Sequence, residues 1–167
     1  MGKKTKMLSL DTSSTDSGYA YWENGQLIEY GSLNLSKEKD SLIRQEDMII
    51  GLHKLTKQYK PDICVVESPP LINSPATLIM LTEIVGAVRG MVIDSAEYVE
   101  YSPTKWRKLI PHEGKIPIKR KDAKTWDIAR VKELFQVETK NDNIADAILI
   151  GYARIMDIQQ IEANTLL

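Results

Sequence analysis

Apolar and polar positions follow two different rhythms along this chain. Met7-Leu8-Ser9-Leu10 is an apolar run that stops at Asp11, and it reads as a short buried strand over 7–11. Gly18 to Trp22 reads as a second strand and Gln26 to Leu35 as a third. Between them Glu23-Asn24-Gly25 predicts a hairpin turn, because Asn and Gly tolerate positive φ. The period then lengthens. Met48, Leu52, Leu55 and Tyr59 recur at three- and four-residue steps, which predicts a helix from about Asp40 to Tyr59. Pro61 separates it from a fourth strand, Asp62 to Glu67, another apolar run that ends on an acid.

Ser68-Pro69-Pro70 then breaks the chain. Ser74-Pro75 offers a capping hydroxyl and a first-turn proline, so a helix over 75–93 follows. Leu78, Leu81, Val85, Val88 and Val92 make its apolar stripe, and Ile79, Met80, Ile84, Ala87 and Met91 widen it past half the circumference. Such a helix is expected to be buried on two sides. It is either central to the monomer or paired with a second copy through Leu78, Leu81, Val85, Gly86 and Gly90, where the glycines permit close approach. Tyr98 to Tyr101 is a fifth strand, and Ser102-Pro103 opens a short helix carrying Lys105 and Trp106. Pro111 to Ile118 reads as an exposed loop before two closing helices, roughly Lys121 to Phe135 and Asp142 to Gln159. Three antiparallel strands, then strands alternating with helices, predict an α/β fold with a mixed five-stranded sheet flanked by helices.

Composition adds little to that picture except through charge. The 167 residues are 43% apolar without a break, so one domain over 1–167 is expected. Cys64, alone in a predicted strand, reads as a core residue of a protein in a reducing cytoplasm. The run behind the basic Gly2-Lys3-Lys4-Thr5-Lys6 is too short for a signal peptide, and no stretch reads as a membrane span. Net charge is −1, but Pro103 to Lys132 holds ten Lys/Arg against three Asp/Glu, a local +7 that leaves −8 elsewhere. Its cations Lys105, Arg107, Lys108, Lys115, Lys119, Arg120, Lys121 and Lys124 are candidate contacts to a phosphate backbone. Trp106 and Trp126, in the same run, fit such a surface or a core equally well.

The chemistry lies in the acids. Asp11 and Glu67 end apolar strands, and Asp142 and Asp146 bracket the start of an apolar helix. Acids gathered this way form an oxygen-rich site suited to Mg2+ or Mn2+, two ions about 3.5–4 Å apart, that could hydrolyse a phosphodiester. On a helix, residue 146 shares a face with residues 142 and 143, so either Asp142 or Asn143 could join Asp146 at the metal. Asp142 could equally serve as a carboxylate at the helix N-terminus. An unpaired acid inside an apolar helix is costly, which favours a functional role for Asp146. His53 and His112 are not compelling ligands, and Thr15, Asp16 and Ser17 are expected to shape a turn.

Leu10-Asp11 with Gly18 seven residues on, Val66-Glu67, and Ile144-Ala145-Asp146-Ala147 together resemble the RuvC family of Holliday-junction resolvases, most nearly its small bacteriophage members, lactococcal ones in particular. The resemblance implies an RNase H-like fold, a homodimer, and Mg2+- or Mn2+-dependent nicking of four-way DNA junctions. By position it makes Asp11, Glu67 and Asp146 three metal ligands and places Lys105 and Lys124 near the scissile phosphate and the DNA backbone, with Lys124 among the catalytic residues. Three departures stand out. The family's fourth ligand is Asn143 here, which weakens metal binding unless Asp142 substitutes. Thr12-Ser13 replaces a Pro-Gly pair, and Pro69-Pro70-Leu71 replaces an aromatic wedge beyond the catalytic Glu. These departures keep two variants open: a broader fork or flap nuclease, and a junction-binding protein that does not cut. Leu10 to Thr15 also resembles the first phosphate loop of actin-like sugar and acetate kinases, which need two such lobes where this chain offers one.

Overall fold

The computed structural model describes residues 5–69, 74–117 and 119–165. The expected mixed sheet is present, in the spatial order β3-β2-β1-β4-β5. Its strands are β1 (Lys6–Asp11), β2 (Asp16–Glu23), β3 (Gln26–Asn34), β4 (Ile63–Glu67) and β5 (Glu97–Tyr101). The first three pair antiparallel, and β4 and β5 run parallel to β1. Asn24 and Gly25 both take positive φ in the β2–β3 hairpin, as that turn chemistry requires.

The helices are α1 (Ser41–Tyr59), α2 (Pro75–Val92), α3 (Pro103–Leu109), α4 (Arg120–Phe135) and α5 (Asp142–Thr165). Asp40, Ser74 and Ser102 cap the first three, each accepting backbone N–H donors with its side chain. Helix α5 runs six residues past the expected end at Gln159, since nothing in Ile161–Thr165 breaks a helix. Alternation along the central strands splits the core between the two sheet faces. Leu8, Leu10, Cys64 and Val66 pack with α1 and α2. Met7, Val65, Trp106, Val131 and Ile148 pack on the other face with α3, α4 and α5. Burial pushes the Cys64 thiol up to about 12, so it is an inert core residue, as expected.

Helix α2 departs from expectation twice. It is buried on one side only: Ile84, Val85, Val88 and Val92 face the core, while Ile79 is 58% exposed and Gly86 and Gly90 are open. The monomer therefore does not enclose it. Val85, expected at an interface between copies, is spent inside the monomer, whereas Leu78 and Leu81 are half-buried. Contrary to the reading that no stretch could span a membrane, α2 is long and apolar enough to do so by length and composition. Glu83 and Arg89 are its only charged residues.

Helix α5 lies unusually close to β1 and β2. A methyl group at Gly18 would sit 1.8 Å from the backbone oxygen of Asn143, and one at Gly151 would sit 2.3 Å from the Trp22 indole nitrogen. Ser9, fully buried, donates its hydroxyl to the Ala147 carbonyl at 2.7 Å and accepts from the Trp22 indole N–H at 3.1 Å. Gly18→Ala should therefore cost about 1–3 kcal/mol of unfolding free energy in urea titrations, because helix and sheet must separate. Gly86→Ala, with open space around it, should instead stabilise the dilute protein by roughly 0.4–1 kcal/mol. An undamaged Gly18→Ala protein would contradict the close approach.

Candidate active site

Strand parity builds the site. Leu10 pairs with Val66 across parallel β1 and β4, so Asp11 and Glu67 end neighbouring strands. Met7 and Ile63 belong to the face that packs on α3–α5, and Asp11 and Glu67, four residues on from each, share that face. Asp146 enters from the second turn of α5, brought in by the Gly18 contact one turn earlier. Asn141 fixes the start of that helix. Its side-chain oxygen accepts from the N–H groups of Asn143 (2.9 Å) and Ile144 (3.4 Å), and its amide donates to Asp16 at 2.9 Å. The loop between β1 and β2 is a turn, as expected, with Ser17 Oγ donating to the Ser13 carbonyl at 2.9 Å.

Burial governs the electrostatics. It pushes the Asp11 carboxyl well above its usual range, with repulsion from Glu67 adding to it and the Lys124 charge opposing it. Asp146 is raised likewise by burial, then by Asp11, Asp127 and Glu67. Glu67 is raised by burial against the pull of the Trp106 indole, which donates to its Oε2 at 2.6 Å, and of Arg107. Three acids from distant segments thus feel one another in a poorly solvated place.

Among the described residues no group of three or more His, Cys, Asp or Glu side chains is arranged to hold a metal ion. The donor set still fits a hard divalent cation in kind. It is all oxygen, Asp146 Oδ1 is buried without a hydrogen-bond partner, and a cation would relieve the penalty that burial places on all three ionised acids.

The fourth position is divided as the sequence left it. Asp142 ion-pairs with Lys124, so its charge is already committed. Asn143 is half-buried at the same helix start, with its backbone oxygen against Gly18.

The expected DNA contacts separate into two groups. Lys105, Lys108, Lys115, Lys119, Arg120 and Lys121 are exposed, and Lys105 Nζ lies 4.6 Å over the Tyr101 ring. Lys124 is partly exposed in its pair with Asp142. Arg107 does not belong to that surface. Its side chain is 14% exposed, binds Asp127 through two nitrogens, and reaches within 3.9 Å of Asp146. The turn of α3 that exposes Lys105 and Lys108 points Arg107 inward beside the fully buried Trp106. Trp126 is half-buried, in edge contact with His112, and His53 is exposed. Pro70, Leu71 and Ile118 lie outside the described residues.

Sequence reasoning missed Asp127, which is fully buried. A signal existed: Ala123, Asp127 and Val131 recur at four-residue steps, which puts the acid on the helix's inward stripe. Asn141 was missed too, although Asn before a helix is a capping signal.

A sequence model of the family described as Lactococcus phage M3 protein matches residues 3–154. The chain is 28% identical over 152 residues to the crossover junction endodeoxyribonuclease RuvC of Aliarcobacter butzleri, covering 87% of this chain and 95% of that one. Its fold is similar to Thermus thermophilus RuvC solved in complex with a Holliday junction substrate, at TM-score 0.73 and 12% identity over 93% of this chain and 96% of that one. The yeast mitochondrial Holliday junction resolvase Ydc2 is similar at TM-score 0.64 and 15% identity, over 96% of this chain and 82% of that one. The resemblance drawn from the motifs is borne out, and with it the RNase H-like fold.

The raised acids make stability depend on pH. Each holds its proton more tightly folded than unfolded, so its contribution is full below the unfolded carboxylate range, about 4, and is lost as pH rises through the raised values. Urea midpoints in chelator should fall for this reason as pH rises above about 4. Asp146→Asn should flatten that fall and raise the neutral midpoint, and Mg2+ should stabilise the parent more than the variant. Parallel pH curves for the two proteins would show that Asp146 carries no such strain.

Proposed function

We propose that this chain, which belongs to the Lactococcus phage M3 protein family and is RuvC-like in sequence and fold, is a metal-dependent endodeoxyribonuclease that resolves four-way DNA junctions. It nicks opposing strands and leaves 5′-phosphate and 3′-hydroxyl ends. One observation carries this reading: Asp11 and Glu67 end neighbouring parallel strands on the sheet face that the cation-rich helices cover, and Asp146 enters there from α5 with a buried carboxylate oxygen that has no hydrogen-bond partner.

In this reading Asp11, Glu67 and Asp146 hold Mg2+ or Mn2+, with Asn143 as a neutral fourth donor. Bound there, the metal supplies Lewis acidity at the scissile phosphate and a more acidic water. The Trp106 indole fixes one oxygen of Glu67 and so orients the other. Lys105, Lys108, Lys115, Lys119, Arg120 and Lys121 hold the DNA backbone, with Lys124 nearest the acids. The protein acts as a homodimer, since cutting two strands symmetrically calls for two sites. The open side of α2, with Ile79, Gly86 and Gly90, is the face we assign to the second copy. Its place of action is the host cytoplasm.

The second reading, a broader fork and flap nuclease, keeps the same site and changes only the substrate. The third, a junction binder without cleavage, turns on Asn143.

A labelled four-way junction should be nicked on opposing strands with Mg2+ or Mn2+, and not with Ca2+ or chelator. Fork, flap and linear duplex, run beside it, separate the first two readings. Cleavage only by Asn143→Asp would support the third for the natural chain, and no cleavage of any substrate by either protein rejects the nuclease. Junction affinity should fall steeply with salt, and a flat response removes the 103–132 segment from the interface. Sedimentation at micromolar concentration should show dimers, and monomers alone would sink the α2 interface.

A further inference from the structure

We propose that Asp127 is a positioning residue: it holds the Arg107 guanidinium short of Asp146 and so keeps Asp146 open to a divalent cation. What the open site is for rests on the nuclease reading above; the restraint itself rests on geometry.

Asp127 lies on the inward stripe of α4 and is fully buried. Arg107 Nε donates to Asp127 Oδ1 at 3.0 Å and to Oδ2 at 3.2 Å, and Arg107 Nη2 donates to Oδ2 at 2.7 Å. That same Nη2 stands 3.9 Å from Asp146 Oδ2. One nitrogen therefore lies between two carboxylates, bonded to one and just short of the other. The guanidinium carbon also sits 4.2 Å from the centre of the Trp106 ring, whose N–H holds Glu67. The ring contact and the two-point contact with Asp127 together hold the guanidinium in place.

A cation is needed here, because the carboxylates crowd one another, yet a cation bonded to Asp146 would take the oxygens a metal requires. Holding Arg107 on Asp127 meets both demands. Without the Asp127 charge, the nearest partner for the Arg107 nitrogen is Asp146, and a shift of about one ångström brings it within ordinary charge-assisted hydrogen-bond range. Asp127 also lies against Asp146, but both of its oxygens accept from Arg107, and the double variant below separates a role through Arg107 from a direct one on the cation.

The test is Mn2+ titration of the DNA-free protein, followed calorimetrically, with junction cleavage measured alongside. Asp127→Asn should lose about tenfold or more in Mn2+ affinity, the size usual for residues that orient a metal's ligands. Arg107→Ala should bind Mn2+ at least as well as the parent. The double variant should match Arg107→Ala, because Asp127 acts only through Arg107. A double variant as weak as Asp127→Asn would mean that Asp127 acts on the cation directly, and unchanged affinity in Asp127→Asn would mean there is no restraint; either overturns the proposal. If Asp127→Asn fails to fold, Arg107→Ala decides alone, and a tenfold loss of Mn2+ affinity there overturns it. The expected affinity pattern in a protein that cuts no branched DNA would leave the restraint standing and reject the nuclease. Cleavage by the parent without that pattern would do the reverse. A parent that neither binds Mn2+ nor cuts overturns both.

Discussion

The close seating of α5 on β1 and β2 is the constraint on which the rest depends. Two positions without side chains, Gly18 and Gly151, let the helix approach within van der Waals contact of strand backbone and of the Trp22 indole. Ser9 then ties the helix to the sheet by a fully buried hydrogen bond to the Ala147 carbonyl. A polar hydroxyl in such a place is tolerated because every partner it needs is supplied. One turn before that bond, the Gly18 contact sets the height at which Asp146 enters the site. The same few contacts therefore settle the packing of the longest helix and the position of a candidate ligand.

Around that anchor the protein concentrates charge where its fold gains nothing from it. Asp11, Glu67 and Asp146 are disfavoured as anions by burial first and by one another second. Arg107 and Lys124 answer them, with Arg120 adding to the pull on Glu67, but Arg107 and Lys124 are already bound to other acids, Asp127 and Asp142. A site left short of positive charge, with a buried carboxylate oxygen that nothing bonds, is a strained arrangement. Strain of this kind, offset by packing elsewhere, is the physical mark of a functional site.

Helix α2 shows how one pattern can support two architectures. Its broad apolar surface is the same whether a helix is enclosed by its own chain or shared with another. The structure spends Ile84, Val85, Val88 and Val92 on the core and leaves Ile79, Gly86 and Gly90 outside. Exposed Leu42, Ile43 and Ile50 on α1 add to the apolar surface that the monomer leaves open.

Much of this was legible in the chain. The two periods marked strands and helices, Asn24-Gly25 marked the hairpin, and Asp40, Ser74 and Ser102 marked helix starts, because each signal acts within a few residues of itself. Asp11, Glu67 and Asp146 stood out for the same local reason, as acids closing or interrupting apolar runs. Local signals end there. That β1 and β4 are parallel neighbours, so that Asp11 and Glu67 lie side by side, is a matter of strand order. That Arg107 turns inward to Asp127 while Lys105 and Lys108 stay outside depends on how α3 meets α4, two helices separated by a loop. Local spacing can mark a charge as inward-facing, as at Asp127, but not which other charge it will meet there. The sequence by itself determined which residues could bind a cation; packing between distant segments decided which of them meet, and which cation already stands beside them.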